Sequence, residues 1–109
     1  MLRISVVDSR TERRLVLEGK LITPWEMELR TAWGAAQQEL DRRELAIDLA
    51  NVTFVSQAGE NVLLQLMTEG AKFSGCGVLA KHLLQQLRRR RKKIAAELLR
   101  EENKGGYEQ

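Results

Sequence analysis

The fold of this chain depends most on residues 45–64, which read LAIDLANVTFVSQAGENVLL. The short apolar run Glu44–Leu49 predicts a β-strand, and residues 50–57 predict a loop with apolar anchors. From Ala58 onward the apolar residues recur at steps of three and four, which predicts a helix that ends at Gly70. The segment therefore indicates a strand, a loop and a helix in succession, which is the repeating unit of an α/β protein.

Two short strands precede this segment. Leu2–Val7 alternates apolar with polar residues, and Arg14–Glu18 is a second β-rich run. The polar residues 8–12 between them predict a hairpin loop, so the two strands should pair antiparallel.

A helix is expected between the hairpin and the third strand. Thr23-Pro24-Trp25-Glu26 has the pattern of a capping box, with Thr23 as N-cap, Pro24 at the first helical position and Glu26 at the third. The apolar stripe that follows predicts a helix that continues to about Leu40.

The C-terminal third predicts a fourth strand and a last helix. Lys72–Cys76 is the candidate strand, and the helix should begin near Val78, continue through Asn103 and end at Gly105-Gly106. A helix between the third and fourth strands requires a right-handed crossover and a parallel pair. The expected order is thus β-β-α-β-α-β-α, with a mixed sheet in two or three layers.

The composition describes one small domain. The 109 residues include 43% hydrophobic and 30% charged residues, with one cysteine and one histidine. These numbers exclude an internal disulfide framework and a histidine-rich metal cage. Without an apolar leader or spanning stretch, the expected location is the cytoplasm. No cofactor is expected.

The net charge of +3 is divided unevenly along the chain. Residues 1–87 hold ten Lys/Arg and eleven Asp/Glu and sum to −1, whereas residues 88–109 hold eight and four and sum to +4. We therefore divide the chain into a domain, residues 1–87, and a basic helical extension, residues 88–109.

The extension begins with six consecutive cations, Arg88, Arg89, Arg90, Arg91, Lys92 and Lys93. They are candidates for weak, salt-sensitive binding of an anionic partner, either nucleic acid or anionic lipid. A solvated basic helix surface explains them equally well. No aromatic residues interrupt the block, so base stacking is unsupported.

Nothing in the chain predicts catalysis. Gly75–Ala80 fits a G-x-G-x-x-A pattern, but no further strand follows with the acidic residue that a dinucleotide site needs. Cys76 and His82 have no evident third partner, and Asp48 is a single carboxylate at a strand end. We expect a protein that is not an enzyme.

Three segments resemble STAS domains, the family of anti-sigma-factor antagonists and of the cytoplasmic modules of sulfate transporters. The run at 45–64 is similar to its Asp-Leu strand end, Val-Thr-Phe loop and helix-opening turn. Leu17–Leu21 resembles its Leu-x-Gly-x-Leu stretch, and Gly70–Lys72 its Gly-Ala-Lys entry to the next strand. The matches occur in family order within residues 2–87. They imply a STAS-like (SpoIIAA-like) α/β fold, a mixed sheet of about four strands with an antiparallel edge hairpin and packed helices. The long basic C-terminal helix departs from the family pattern and is expected from the sequence itself.

The family resemblance implies a binding module whose Asp-Ser-Ser-Gly turn is phosphorylated on its first serine. Here the aspartate is replaced by Ser56, the phosphorylated serine by Gln57 and the second serine by Ala58, while Gly59 is retained. We therefore expect the usual phosphoserine switch to be lost. Ser56 is the one hydroxyl in the turn; we interpret it as an N-cap and keep it as a candidate phosphorylation site.

By the same resemblance, the chain should dock a protein partner through this turn and the helix after it. The expected contacts are Ser56, Gln57, Ala58, Gly59, Glu60, Asn61 and Gln65. The expected partner is an anti-sigma factor or kinase, which would make the chain a regulator of transcription. The alternatives are the ATPase subunit of an ABC transporter of the phospholipid type and a homodimer.

Overall fold

The computed structural model describes the backbone of residues 1–75 and 77–107 and the side chains of residues 1–75 and 77–99. Its elements follow the predicted order: β1 (Leu2–Asp8), β2 (Glu12–Leu21), α1 (Trp25–Ala36), β3 (Glu44–Val55), α2 (Gln57–Thr68), β4 (Lys72–Ser74) and α3 (Val78–Tyr107).

The four strands form one mixed sheet in the order β1-β2-β3-β4. The hairpin β1–β2 is antiparallel, with Ile4 opposite Leu17. Both β2–β3 and β3–β4 are parallel, so that Ile47 lies between Leu15 and Phe73. The predicted edge hairpin and parallel pairs are confirmed.

The helices pack on one face of the sheet, α1 against α2 and α2 against α3. Strand side chains of one parity form the core with them, because successive side chains of a strand point to opposite faces. The fully buried core side chains are Leu15, Leu17, Leu21, Leu29, Ile47, Leu49, Leu63, Leu66 and Leu87. The other face carries ion pairs such as Arg14 with Glu12 and Lys72 with Glu44. Of the two architectures expected, the fold is the two-layer one.

The predicted capping box of α1 is wrong. The helix begins at Trp25, so Pro24 occupies the N-cap position and no side chain caps the first turn. The Trp25 amide donates instead to the carbonyl of Ile22 at 2.7 Å. A backbone turn therefore takes the place that the Thr23 hydroxyl was expected to fill.

α1 also ends earlier than predicted, at Ala36 rather than about Leu40. The Arg13 guanidinium donates to the carbonyls of Ala36 at 3.0 Å and Gln38 at 2.9 Å. These side-chain hydrogen bonds satisfy carbonyls that a longer helix would have used. Sequence periodicity alone contains no signal for a capping residue that comes from a neighbouring strand.

β3 is longer than predicted, because residues 50–55 continue the strand instead of forming a loop. They pair with the end of β2, with Gly19 opposite Val52 and Leu21 opposite Val55. The register shifts twice along this pairing, and such bulges break the alternation by which a strand is recognised in sequence.

The other boundaries lie close to prediction. α2 begins at Gln57, one residue early, and ends before Gly70, which has the positive φ of a residue after a helix. β4 spans Lys72–Ser74 only, and Cys76 lies outside the described residues.

α3 begins at Val78 as predicted and continues through Gly105-Gly106 to Tyr107. A glycine costs a helix only about 1 kcal/mol, so it need not end one. Ala80, Leu83 and Leu87 are buried, whereas the side chains described after Leu87 are half-buried or exposed. The boundary drawn at residue 87 thus falls inside one continuous helix.

Among the described residues, no helix has the length and apolar character that a membrane span requires.

Candidate functional site

The first turn of α2 is tied to the end of β2 through Ser56. The Ser56 amide donates to the Leu21 carbonyl at 3.0 Å, and its hydroxyl oxygen Oγ lies 3.3 Å from the same carbonyl. Oγ also accepts from the amide of Gly59 at 3.2 Å, so Ser56 is the N-cap of α2, as expected. The hydroxyl therefore donates once and accepts once within the fold.

Gly59 brings the same turn into close contact with β2. A Cβ at this position would lie 2.5 Å from the Leu21 carbonyl oxygen and 2.8 Å from the Leu21 Cγ. Because real Cβ atoms do not approach backbone oxygen that closely, only glycine fits here without moving β2. Gly59 is the residue of the family turn that this chain retains, and its close packing against Leu21 gives a physical reason for a glycine there.

The outer side of α2 is an uncharged polar ridge, which we call the amide ridge: Gln57, Asn61 and Gln65. These side chains are four residues apart and all three are exposed. The side-chain amide of Gln57 donates from its Nε2 to the Asn61 Oδ1 at 3.2 Å. Ala58 is half-buried beside them. The structure thus places three of the expected contacts on one exposed helix face.

Glu60 lies apart from the ridge and is only 8% exposed. Its carboxylate accepts from Arg90 Nη1 at 2.7 Å, and Arg90 Nη2 donates to the Asn61 Oδ1 at 2.9 Å. One guanidinium of α3 therefore holds two neighbouring residues of α2. Glu60, expected as a partner contact, is buried and has one carboxylate oxygen paired with Arg90 inside the domain.

Sequence reasoning missed Arg90 because it lies among six cations of similar character. The signal was available in the spacing, since Arg90 follows the buried Leu83 and Leu87 on the same stripe of α3. A charged residue that continues an apolar stripe is the member of a charged run most apt to have an intramolecular partner.

The other five cations of the block are exposed: Arg88, Arg89, Arg91, Lys92 and Lys93. Among the side chains that the structure describes, Arg90 is the member of the block with a carboxylate within 4.0 Å. Arg88 and Arg91 line a cleft of about 290 Å³ between α3 and β4.

The residues weighed for catalysis are not brought together. Asp48 accepts from the amide of Ala50 at 2.9 Å and lies 4.0 Å from Arg14, on the face of the sheet away from the helices. His82 is exposed on α3. No group of three or more His, Cys, Asp or Glu side chains among the described residues is placed to hold a metal ion.

One solved structure resembles this arrangement over most of its length. It is an uncharacterized protein of the DUF3478 family from Shewanella loihica PV-4, with 16% identity and a TM-score of 0.51 over 72% of this chain and 70% of that one. That structure has a SpoIIAA-like fold. The present chain has a SpoIIAA-like fold.

A second similar structure is the STAS domain of an antisigma-factor antagonist from Rhodobacter sphaeroides. The identity is 20% and the TM-score 0.42, over 66% of this chain and 82% of that one. No protein-family model and no curated protein sequence matches the domain. The expected fold is confirmed by the first of these structures.

Proposed function

We propose that this domain is a non-catalytic protein-interaction module of the anti-sigma-factor-antagonist type. It docks an anti-sigma factor or kinase through the amide ridge of α2, in the cytoplasm, and so regulates transcription. The observation that carries the proposal is the ridge itself: Gln57, Asn61 and Gln65 form an exposed, uncharged face in a chain with 30% charged residues.

An uncharged ridge suits docking because of what desolvation costs. A charged side chain loses far more solvation free energy on burial than an amide, which can exchange its water for a partner's hydrogen bonds. Interface centres are accordingly depleted of charged residues. The uncharged composition of this face therefore favours docking of a partner.

The ridge is also held rigidly. Ser56 and Gly59 fix the start of α2 to β2, and Arg90 fixes Glu60 to α3. A surface already in place needs little ordering when a partner binds, and less binding free energy is lost.

The same contacts argue for docking without a phosphoserine switch. Gln57 has no hydroxyl, and the Ser56 hydroxyl is half-buried with both of its hydrogen-bonding roles filled. A phosphate on Ser56 would remove its donated hydrogen bond and place about two negative charges against the Leu21 carbonyl. We therefore propose constitutive binding.

The test is a binding titration against a panel of purified anti-sigma kinases. For the transporter alternative, the panel includes ATPase subunits of phospholipid-type ABC transporters. Gln57→Glu and Gln65→Glu each add one charge to the ridge and should weaken binding about tenfold or more, the equivalent of ~1.4 kcal/mol. Gln38→Glu adds the same charge at an exposed position away from the ridge and is the control.

Equal affinity for all three variants would contradict the proposed surface. Recovery of an ATPase subunit, with no kinase bound, would favour the transporter alternative. Mass spectrometry of residues 55–59 after incubation with the kinases and ATP tests the switch separately. Stoichiometric phosphate on Ser56 would contradict constitutive binding.

A second candidate function is electrostatic binding of an anionic partner by the basic block, favoured by its five exposed cations. Such binding should weaken steeply as salt increases. Replacing those five with glutamine while keeping Arg90 should abolish it, and salt-insensitive binding would argue against it.

A further inference from the structure

A cleft between α3 and the edge of the sheet combines an apolar floor with a cationic rim. Its walls are the end of α2, strand β4 and α3, and it encloses about 290 Å³. The floor consists of Met67, Ala71, Phe73 and Leu84, and the rim of Lys72, Arg88 and Arg91. We call this feature the β4 cleft.

Two of the three rim cations lie on the same side of α3. Leu84, Arg88 and Arg91 are four and three residues apart, so they lie along one stripe of α3 that faces the cleft. Arg88 and Arg91 are exposed, and no described carboxylate lies within 4.0 Å of either. Lys72 borders the cleft from β4, but its ammonium pairs with Glu44 at 2.7 Å on the face of the sheet away from the helices. The two arginines therefore supply the positive charge that is available to a ligand.

The cleft borders a sheet edge. β4 is the last strand of the sheet, and within the described residues its one neighbour is β3. An edge strand has backbone N–H and C=O groups on its outer side that can bind an extended segment of another protein. The cleft thus offers backbone hydrogen bonds, apolar contact and positive charge side by side.

We propose that the β4 cleft binds an extended acidic segment of a protein partner. Carboxylates of the segment pair with Arg88 and Arg91, and one apolar side chain lies against Phe73 and Leu84. The inference rests on the second candidate function, anion binding by the basic block. It names the partner class and restricts the site to two of the five exposed cations.

The shape and chemistry of the cleft disfavour the other polyanions. A membrane surface is broad and contacts convex features, whereas Arg88 and Arg91 border a concavity with an apolar floor. A nucleic-acid backbone has no bulky apolar side chain to fill that floor, and the floor's one aromatic ring, Phe73, is half-buried in the core. An acidic segment with an apolar side chain uses every part of the cleft.

The experiment measures binding to the full chain of an acetylated, fluorescein-labelled peptide of eight residues that alternates glutamate with leucine and serine. Arg88→Gln/Arg91→Gln removes the rim charges, and Arg89→Gln/Lys93→Gln removes two exposed cations that do not line the cleft. The first pair should weaken binding about tenfold or more, and the second about twofold or less, because two paired charges are lost only in the first. Melting temperatures confirm that both variants are folded.

A glutamine-for-glutamate version of the peptide should bind weakly, and a glutamate–serine version that lacks leucine should bind with intermediate affinity. If both double variants lost the same affinity for the peptide, the β4 cleft would be overturned as the binding site, while anion binding by the basic block would stand. Binding of phosphatidylglycerol vesicles or of a single-stranded oligonucleotide, without binding of the peptide, would replace the proposed partner class. If the peptide, the vesicles and the oligonucleotide all failed to bind, anion binding by the basic block would be contradicted as well.

Discussion

α1 and α2 are helices of equal length on the same face of the sheet, but they are fixed at opposite ends. α1 has no side-chain cap at its start, and its end is held by Arg13 from β2. α2 is held at its start by Ser56 and Gly59, which contact Leu21 of β2. β2 therefore positions both helices, each through a different end.

The difference teaches where a rigid docking surface can lie. The amide ridge begins at Gln57, within the turn that Ser56 and Gly59 fix to β2, so the backbone that carries its first side chain is held in place. The start of α1 lacks such a base, and the exposed Met27 there is 67% accessible. The capping box expected at α1 is absent, whereas the N-cap expected at Ser56 of α2 is formed.

The largest expected difference between the helices concerns their glycines, Gly59 in α2 and Gly34 in α1. Gly59→Ala should destabilise the domain by about 1–3 kcal/mol, because its Cβ would be forced against the Leu21 carbonyl. Gly34→Ala should stabilise it by about 0.5–1 kcal/mol, since no atom lies within 4 Å of the added Cβ and alanine favours the helix.

Urea denaturation followed by circular dichroism measures both values, and each variant is the control for the other. A neutral Gly59→Ala would mean that the start of α2 can shift away from β2. The comparison between the helices would then lose its main support.

An intermediate effect is expected at the N-caps. Ser56→Ala removes the acceptor for the Gly59 amide and should cost about 1 kcal/mol. Thr23→Ala should change the free energy of unfolding by less than about 0.5 kcal/mol, because the side chain of Thr23 caps nothing in α1. The same urea titrations measure both values. A larger loss of unfolding free energy for Thr23→Ala would show that Thr23 does cap α1.

The smallest effect is expected at the far end of α1, where Asp8 orients Arg13. The hydrogen bond from the Arg13 Nε, at 2.8 Å, holds the pKa of Asp8 below its ordinary value of 3.8, and Arg43 lowers it further. Because the folded pKa is below the unfolded one, the stabilisation is present above pH 3.8 and is lost as pH falls through the folded value.

Asp8→Asn should therefore lower the melting temperature slightly at pH 7, and the difference from the unsubstituted chain should disappear below the folded pKa. Melting curves between pH 7 and pH 2.5 follow it. A difference that grows as pH falls would show that Asp8 is better stabilised in its neutral form and does not support Arg13 as an anion.

The predictions from sequence succeeded where residues near in the chain decide the structure. The hairpin β1–β2, the order of elements and the start of α3 at Val78 each follow from local periodicity. Two of the failures involve a distant residue: β3 continues to Val55 along β2, and Arg13 of β2 binds the carbonyl at the end of α1. The capping box of α1 and the end of α3 were wrong for local reasons.

The candidate site divides in the same way. The turn Ser56–Gly59 and the amide ridge were predictable, since both lie within one stretch of chain. The spacing along α3 distinguishes Arg90 from the other cations, but its partner Glu60, 30 residues away in sequence, could not be predicted. The β4 cleft likewise joins Lys72 to Arg88 and Arg91 across two elements.

The sequence by itself determined the α/β order, the cap at Ser56 and the run of cations that follows Leu87. The tertiary structure alone decided which of those cations is paired within the fold and which are available to a partner. The physical reason is that charge is a property of each residue, whereas burial depends on what the fold packs against it. Only Arg90 continues the buried stripe of α3 toward the carboxylate of Glu60, and its neighbours in the block stay in water.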